Sequence, residues 1–235
     1  MGHCLGSSPH ILPLRAEKPP QTRQTLSTGN SEPMNPKEIV KRGFNEIASK
    51  YMAARAKDSE DVRLLKELVD RLPKGAKVLD AGCGSGVPVT RYLARFFDVT
   101  GVDFSEEQIK LARRLVPKAK FICEDITDLA FPDESFDAIC SYYAIFHVPR
   151  TEHRRILQNF SRMLKPQGLA LLCMGAGELE ETADFHGTPM YWSHYGSEKN
   201  LRLLRECWYD ILWSKIVKDA TYSKSAHLFV LAGKQ

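Results

Sequence analysis

Asp80, Gly82, Gly84 and Gly86 follow directly on the apolar run Val78-Leu79. Three glycines in five residues strip the backbone of Cβ atoms, so a ligand can lie against it, and a helix starting there turns free N–H groups toward a negative group. The spacing is not the dinucleotide fingerprint G-x-G-x-x-G. Counted from Gly82, the third position is Val87, and the third glycine comes one place early at Gly86. Asp103 closes the next apolar run, where a carboxylate can accept both hydroxyls of a ribose. After the third run, Glu124-Asp125-Ile126 sets an acid beside an apolar side chain, a pair suited to the amino group and ring face of an adenine. Three such contacts in order describe a nucleoside whose third substituent need not be a pyrophosphate. Two plainer readings stand beside this one. The glycines could make a tight turn that holds nothing, and Asp103 could be a helix N-terminal charge, although Ser105 already supplies that cap.

These residues need an element pattern that brings them to one edge. Strands are expected at 77–79, 99–102, 120–123, 138–142 and 169–174, and helices at 88–96, from the capping box Ser105-Glu106-Glu107-Gln108, at 151–164 and at 197–207. Ahead of them, Ile39, Val40, Phe44, Ile47, Ala48 and Tyr51 repeat at helical spacing, and Leu64 to Leu72 do so again after a cap at Asp58. Near-continuous apolar strands alternating with helices imply a parallel sheet covered on both faces. Two final strand-like runs, 209–217 and 228–232, have no helix between them and suggest an antiparallel pair closing one edge.

With 235 residues, 43% of them hydrophobic, the chain can build one sizeable core. Residues 1–35 carry prolines at 9, 13, 19, 20 and 33 and no hydrophobic period, which reads as a flexible tail with Met34 as an alternative start. The folded domain is then 36–235. Net charge is +4 without a long basic run, so solvated faces are expected and no nucleic-acid partner. Six cysteines without C-x-x-C spacing read as reduced core thiols, with no metal site, in a reducing, cytoplasmic compartment. No apolar run is long enough for a membrane span. The stretch 175–196 shows neither helical nor strand period yet holds His186, Met190, Tyr191, Trp192, His194 and Tyr195. A long aromatic loop in a compact domain suggests a substrate-binding insertion, or else an Ω-loop packed on its own base.

The segments VLDAGCGSG, GVDFSEEQIKLAR, EDITDLAFPDESFDAICSYYAIFHV and SRMLKPQG are similar to the successive motifs of class I S-adenosylmethionine-dependent methyltransferases. Within these they resemble the type-11 group that includes the ubiquinone and menaquinone biosynthesis enzymes. The resemblance runs from about Phe44 to Gln235. It implies an α/β, Rossmann-like three-layer sandwich whose seven-stranded sheet is mostly parallel with the last strand antiparallel. It implies S-adenosylmethionine as cofactor, with Gly82, Cys83, Gly84 and Gly86 along the methionine moiety and Asp80 ordering the loop. Asp103, beside Phe104, would hold the ribose, Asp125 and Ile126 the adenine, and Tyr142 and Tyr143 would approach the sulfonium. Tyr51 resembles the family's N-terminal aromatic that covers the cofactor, the alternative being a core tyrosine. His147 resembles a histidine often found after the fourth strand.

Methyl transfer from a sulfonium is an in-line displacement with the leaving group already in place. The protein has mainly to align the reactants and exclude water, and a base is needed only where the acceptor must lose a proton. His147 is the candidate base, with a packing role as the alternative. Substrate contacts are expected from Tyr143, His147, Trp192, His194 and Tyr195. The family's base-methylating members carry a Pro-Pro-aromatic motif where this chain reads Ser141-Tyr142-Tyr143-Ala144, so a small-molecule acceptor is expected. An RNA or protein methyltransferase, a non-catalytic cofactor-binding module and an NAD-dependent oxidoreductase are the alternatives.

Overall fold

The computed structural model describes residues 34–222 and 225–235. The stretch 1–33, most of the expected tail, lies outside the described residues, as does Cys4. Asn35, assigned above to that tail, belongs to the domain: its side chain accepts from the Lys37 backbone N–H and caps the first helix.

Helix α1 (Pro36–Ala54) opens with proline at its first position, where no intrahelical N–H is lost. Two short helices follow, α2 (Glu60–Arg63) and α3 (Lys66–Arg71). The cap expected at Asp58 falls one residue later, at Ser59. Then come β1 (Lys77–Ala81), α4 (Val89–Leu93), β2 (Asp98–Asp103), α5 (Glu106–Leu115), β3 (Lys120–Cys123) and β4 (Phe136–Ser141). Helix α6 (His153–Met163) leads into β5 (Leu164–Gly175), a hairpin of β6 (Leu179–Phe185) and β7 (Thr188–His194), α7 (Ser197–Glu206), β8 (Tyr209–Lys218) and β9 (Ala226–Lys234).

The main sheet has the order β3-β2-β1-β4-β5-β9-β8. It is parallel as far as β5, where β9 inserts antiparallel between β5 and β8. The expected architecture, a seven-stranded sheet with its last strand antiparallel, is the observed one. Alternate strand residues feed opposite cores. Leu79, Ile139 and Leu172 pack on Ile156, Phe160 and Leu204 of α6 and α7. Val78, Cys140 and Leu171 pack on Leu65, Leu68 and Leu93 of the other helical layer. Strand order reverses between β1 and β4, and the crevice at their carboxyl ends is where this class of sheet binds ligands.

The stretch 175–196 is the clearest departure from the sequence reading. It is a two-stranded antiparallel hairpin, with Phe185 facing Thr188 across a two-residue turn. His186 and Gly187 both lie at positive φ, 61° and 93°, as the tightest hairpin turn demands. Its residues fit a hairpin because Met190 and Tyr191 pack on Val40 and Ile47 of α1, while β6 faces outward and carries Glu180, Glu181 and Asp184. Gly43 makes that contact possible: a Cβ there would come within 2.8 Å of the Met190 methyl. Cys123 is exposed, unlike the core thiol expected, because β3 is an edge strand. Cys83, Cys140, Cys173 and Cys207 are buried, and all five are free. Among the described residues, no helix is long and apolar enough to cross a membrane, and no cluster of three or more His, Cys, Asp or Glu could hold a metal.

Candidate active site

A cavity of about 880 Å³, counted to its mouth, opens at the carboxyl ends of β1 and β4. Its floor is the glycine loop. Gly82, Gly84 and Gly86 run at φ +79°, +54° and +73°, a region that costs any residue with a Cβ. At Gly82 the need is absolute, since a Cβ would sit 2.1 Å from that of Ala144. The loop is anchored by two N–H groups, of Gly82 and Cys83, on the Val102 carbonyl (2.8 and 2.9 Å).

Both acids of the loop are strained by burial. Asp80, 1% exposed, accepts from the Thr90 hydroxyl at 2.5 Å, and burial pushes its carboxyl up to about 7. Asp103 accepts from the Gly84 and Ser105 N–H groups, each at 2.9 Å. Burial drives it up to about 6 although those two bonds favour the ionised form. Ser105 caps α5 through Gln108 N, as expected, but Asp103 also ties the glycine loop to that cap.

Of the residues expected around the cofactor, Asp80, Gly82, Cys83, Gly84, Asp103, Phe104, Asp125, Ile126, Tyr142 and Tyr51 all line the cavity. Gly86 lies just behind, against Val116 and Phe121. Asp125 is not free: Lys37, at the start of α1, places its ammonium 3.3 Å from that carboxylate and 3.2 Å from Glu152. Tyr142 donates to the Asp61 backbone carbonyl at 3.0 Å.

The substrate set divides. Tyr143 and His147 line the cavity, whereas Trp192, His194 and Tyr195 are not among its lining residues. Trp192 lies one layer back, its ring 5.7 Å from that of His147. His194 Nδ1 is 2.8 Å from the Gly177 carbonyl. Tyr195 faces α6 and α7, beside His153 and beneath Lys199. Hairpin pairing is the reason: with Met190 and Tyr191 turned to α1, these rings fill the space behind the site. His147 is 8% exposed, its Nδ1 2.8 Å from the Tyr191 carbonyl. A carbonyl only accepts, so Nδ1 carries the proton and Nε2 the lone pair. Burial depresses its pKa to about 4, so the ring is neutral at pH 7.

Among the lining residues that escaped the sequence reading are Lys37, Phe44 as a cavity wall, Arg55 and Gln108. Three had a signal. Lys37, Val40, Phe44, Tyr51 and Arg55 fall within about 60° of arc on one helix, at 3.6 residues per turn. Gln108 had none. It is 1% exposed, and both polar atoms of its amide lack a partner among the described residues. Arg55, 7% exposed, donates to Asp61 at 3.1 Å and lies 4.3 Å over the Tyr143 ring. Asp61 also takes the Tyr143 and Ser59 hydroxyls.

Residues 78–168 match a family model described as a methyltransferase domain, and in that segment and in its fold the chain resembles the class I S-adenosylmethionine-dependent methyltransferases. Among its relatives is the 2-methyl-6-phytyl-1,4-hydroquinone methyltransferase of Synechocystis, 39% identical over 109 residues, 44% of this chain and 33% of that protein. Another is the tRNA (carboxymethyluridine(34)-5-O)-methyltransferase of Arabidopsis thaliana, 31% identical over 161 residues, 68% of this chain and 38% of that protein. The chain thus spans between a third and two fifths of the length of these two relatives. In structure it resembles a Burkholderia thailandensis 1,6-didemethyltoxoflavin-N1-methyltransferase, solved with 1,6-didemethyltoxoflavin and S-adenosylhomocysteine bound. The TM-score is 0.68 at 20% identity, over 88% of this chain and 93% of that one.

Proposed function

We propose that the chain transfers a methyl group from S-adenosylmethionine to a small-molecule acceptor. One observation carries this reading: a single cavity is lined by the glycine loop, Asp103 and Asp125 together with His147 and Tyr143. The glycine cradle fits the cofactor, because Gly84 lines the cavity and the space where its Cβ would point is open, with no neighbour nearer than the Gln108 amide at 3.7 Å. The cofactor, when bound, supplies a methyl group on a positively charged sulfur. Asp103 holds the ribose hydroxyls and Ile126 the adenine face, while Asp125 is shared between the adenine and Lys37. Tyr51 and Phe44 on α1 roof the cavity and exclude water.

His147 faces the acceptor with its tautomer set by the Tyr191 carbonyl. A base held near 4 does not ionise a phenol beforehand. It orients the acceptor's proton and takes it as the new bond to carbon makes that proton acidic. Mass-resolved labelling tests the reading: protein, S-adenosylmethionine carrying a labelled methyl and a metabolite extract should yield a labelled small product. Calorimetry should show binding of S-adenosylhomocysteine and none of NAD. Tight NAD binding with neither sulfur compound bound overturns the assignment.

A second reading, an RNA acceptor, has one specific support: the similarity to the Arabidopsis tRNA enzyme extends over 68% of this chain. Label in a tRNA fraction rather than in small products would favour it.

A further inference from the structure

The part of the cavity lined by α1 has a distinctive make-up. Phe44 stands edge-on to Tyr51 and to His147, with centroids 5.4 and 5.1 Å apart. Tyr143 forms another wall of the same cavity. Its φ of 56° is unusual for a residue with a Cβ, and it sets the phenol against Asp61 (3.0 Å) beneath the Arg55 guanidinium. A cavity lined by several aromatic rings is an apolar slot in which a flat conjugated molecule can pack on ring faces and edges.

Arg55 lines the same cavity, over the Tyr143 ring. A guanidinium has five N–H donors, and among the described residues one of its donors meets a side-chain acceptor, Asp61. What little surface Arg55 exposes belongs to a cavity-lining residue. Its charge is already balanced. Asp61 lies 3.1 Å away, 2% exposed. Asp219, also buried, is held by the Thr221 and Tyr222 N–H groups with His227 at 3.6 Å. A ligand carboxylate would therefore bring in a further buried negative charge without a counter-ion, which is costly. An uncharged oxygen would not, and it would still receive a charge-assisted hydrogen bond.

We infer that Arg55 selects the acceptor, a planar conjugated molecule whose uncharged, carbonyl-type oxygen binds the guanidinium while the methyl-accepting atom lies at His147. This rests on the methyltransferase reading for what happens at His147. The slot and its preference are properties of Arg55, Asp61 and the aromatic walls.

The test uses three probes of similar size on protein saturated with S-adenosylhomocysteine. They are 4-hydroxyacetophenone (neutral carbonyl), 4-hydroxybenzoate (anionic at pH 7.5) and 4-ethylphenol (no second oxygen). Saturation-transfer NMR and calorimetry should show the ketone binding at least about tenfold more tightly than either of the others. Arg55→Gln should bring the ketone down to the level of 4-ethylphenol, with 4-ethylphenol unchanged and S-adenosylhomocysteine affinity within about threefold. If the lone substitution unfolds the protein by stranding Asp61, the pair Arg55→Gln with Asp61→Asn leaves no buried charge and carries the same expectation. Equal or tighter binding of the benzoate, equal loss of ketone and ethylphenol, or no ketone binding to the wild type up to its solubility overturns the inference. If S-adenosylhomocysteine itself does not bind, the methyltransferase reading fails, and the order of the probes on free protein still judges Arg55.

Discussion

Gln108→Met should make the ligand-free protein more stable and its cofactor binding weaker. The Gln108 side chain, 1% exposed, lines the cavity beside Gly84, and both atoms of its amide lack a partner among the described residues. A buried polar group left unpaired costs about 1–3 kcal/mol. Methionine keeps the unbranched length and the helix propensity and removes the polar atoms. The cap is untouched, because Ser105 receives the backbone N–H of residue 108. A gain of about 1–2 kcal/mol corresponds to a rise in melting temperature of about 2–8 °C for a domain of this size. If the amide is kept because the cofactor satisfies it, losing a net hydrogen bond of about 0.5–1.5 kcal/mol weakens S-adenosylhomocysteine binding about two- to twelvefold. Differential scanning calorimetry without ligand and isothermal titration with it read the two effects separately. A variant that melts no higher than wild type and binds the ligand equally well refutes both halves of the reasoning.

Cofactor affinity should rise with pH through about 6 and level off above 7, because ribose hydroxyls donate to ionised Asp103, which burial holds at about 6. A flat calorimetric profile between pH 5 and 8 would count against Asp103 as the ribose acceptor. For ligand-free stability the sign is opposite. Asp80 and Asp103 are held up to about 7 and about 6, so the folded state keeps their protons longer than the unfolded chain. Their contribution is full below about 4 and is lost as pH rises through 6 and 7, which pH-resolved melting curves would reveal. Asp103→Ala should weaken cofactor binding by about 1–3 kcal/mol. It should also lower the melting temperature, since it frees the Gly84 and Ser105 N–H groups at once. Once an acceptor is known, His147→Gln should cut kcat by about a hundredfold or more if the proton is taken there, with cofactor affinity unchanged. Trp192→Ala should lower kcat/KM about tenfold, or about 1.4 kcal/mol, by loosening the His147 ring it backs. Cofactor affinity should move less than about threefold.

The cofactor half of the site was legible because it is local. Asp80, Gly82, Gly84 and Asp103 owe their roles to positions at strand ends, and the period-2 and period-3.6 patterns around them locate those ends without knowledge of anything distant. The acceptor side was legible only in part: Tyr143 and His147 were expected and line the cavity, but the rest is assembled from segments far apart in sequence. Arg55 becomes a cavity wall only when α1 lies over the carboxyl edge of the sheet, and its burial depends on Asp61 and Tyr143, the latter 88 residues further along.

The stretch 175–196 shows the same limit from the other side. Its His186-Gly187 pair was a usable hairpin signal, but the flanking strands lack clean alternation, since Met190 and Tyr191 are both buried where the hairpin meets α1. That packing moved Trp192, His194 and Tyr195 from the cavity wall to the layer behind it. By itself the sequence determined the elements of the main sheet, the glycine loop and the chain of acids, all of which depend on spacing within one strand or turn. Tertiary structure alone decided which aromatic rings face the acceptor, which tautomer His147 adopts and where Gln108 is left without a partner. Each of these depends on a neighbour brought near by chain closure, and spacing along the chain carries no record of that neighbour.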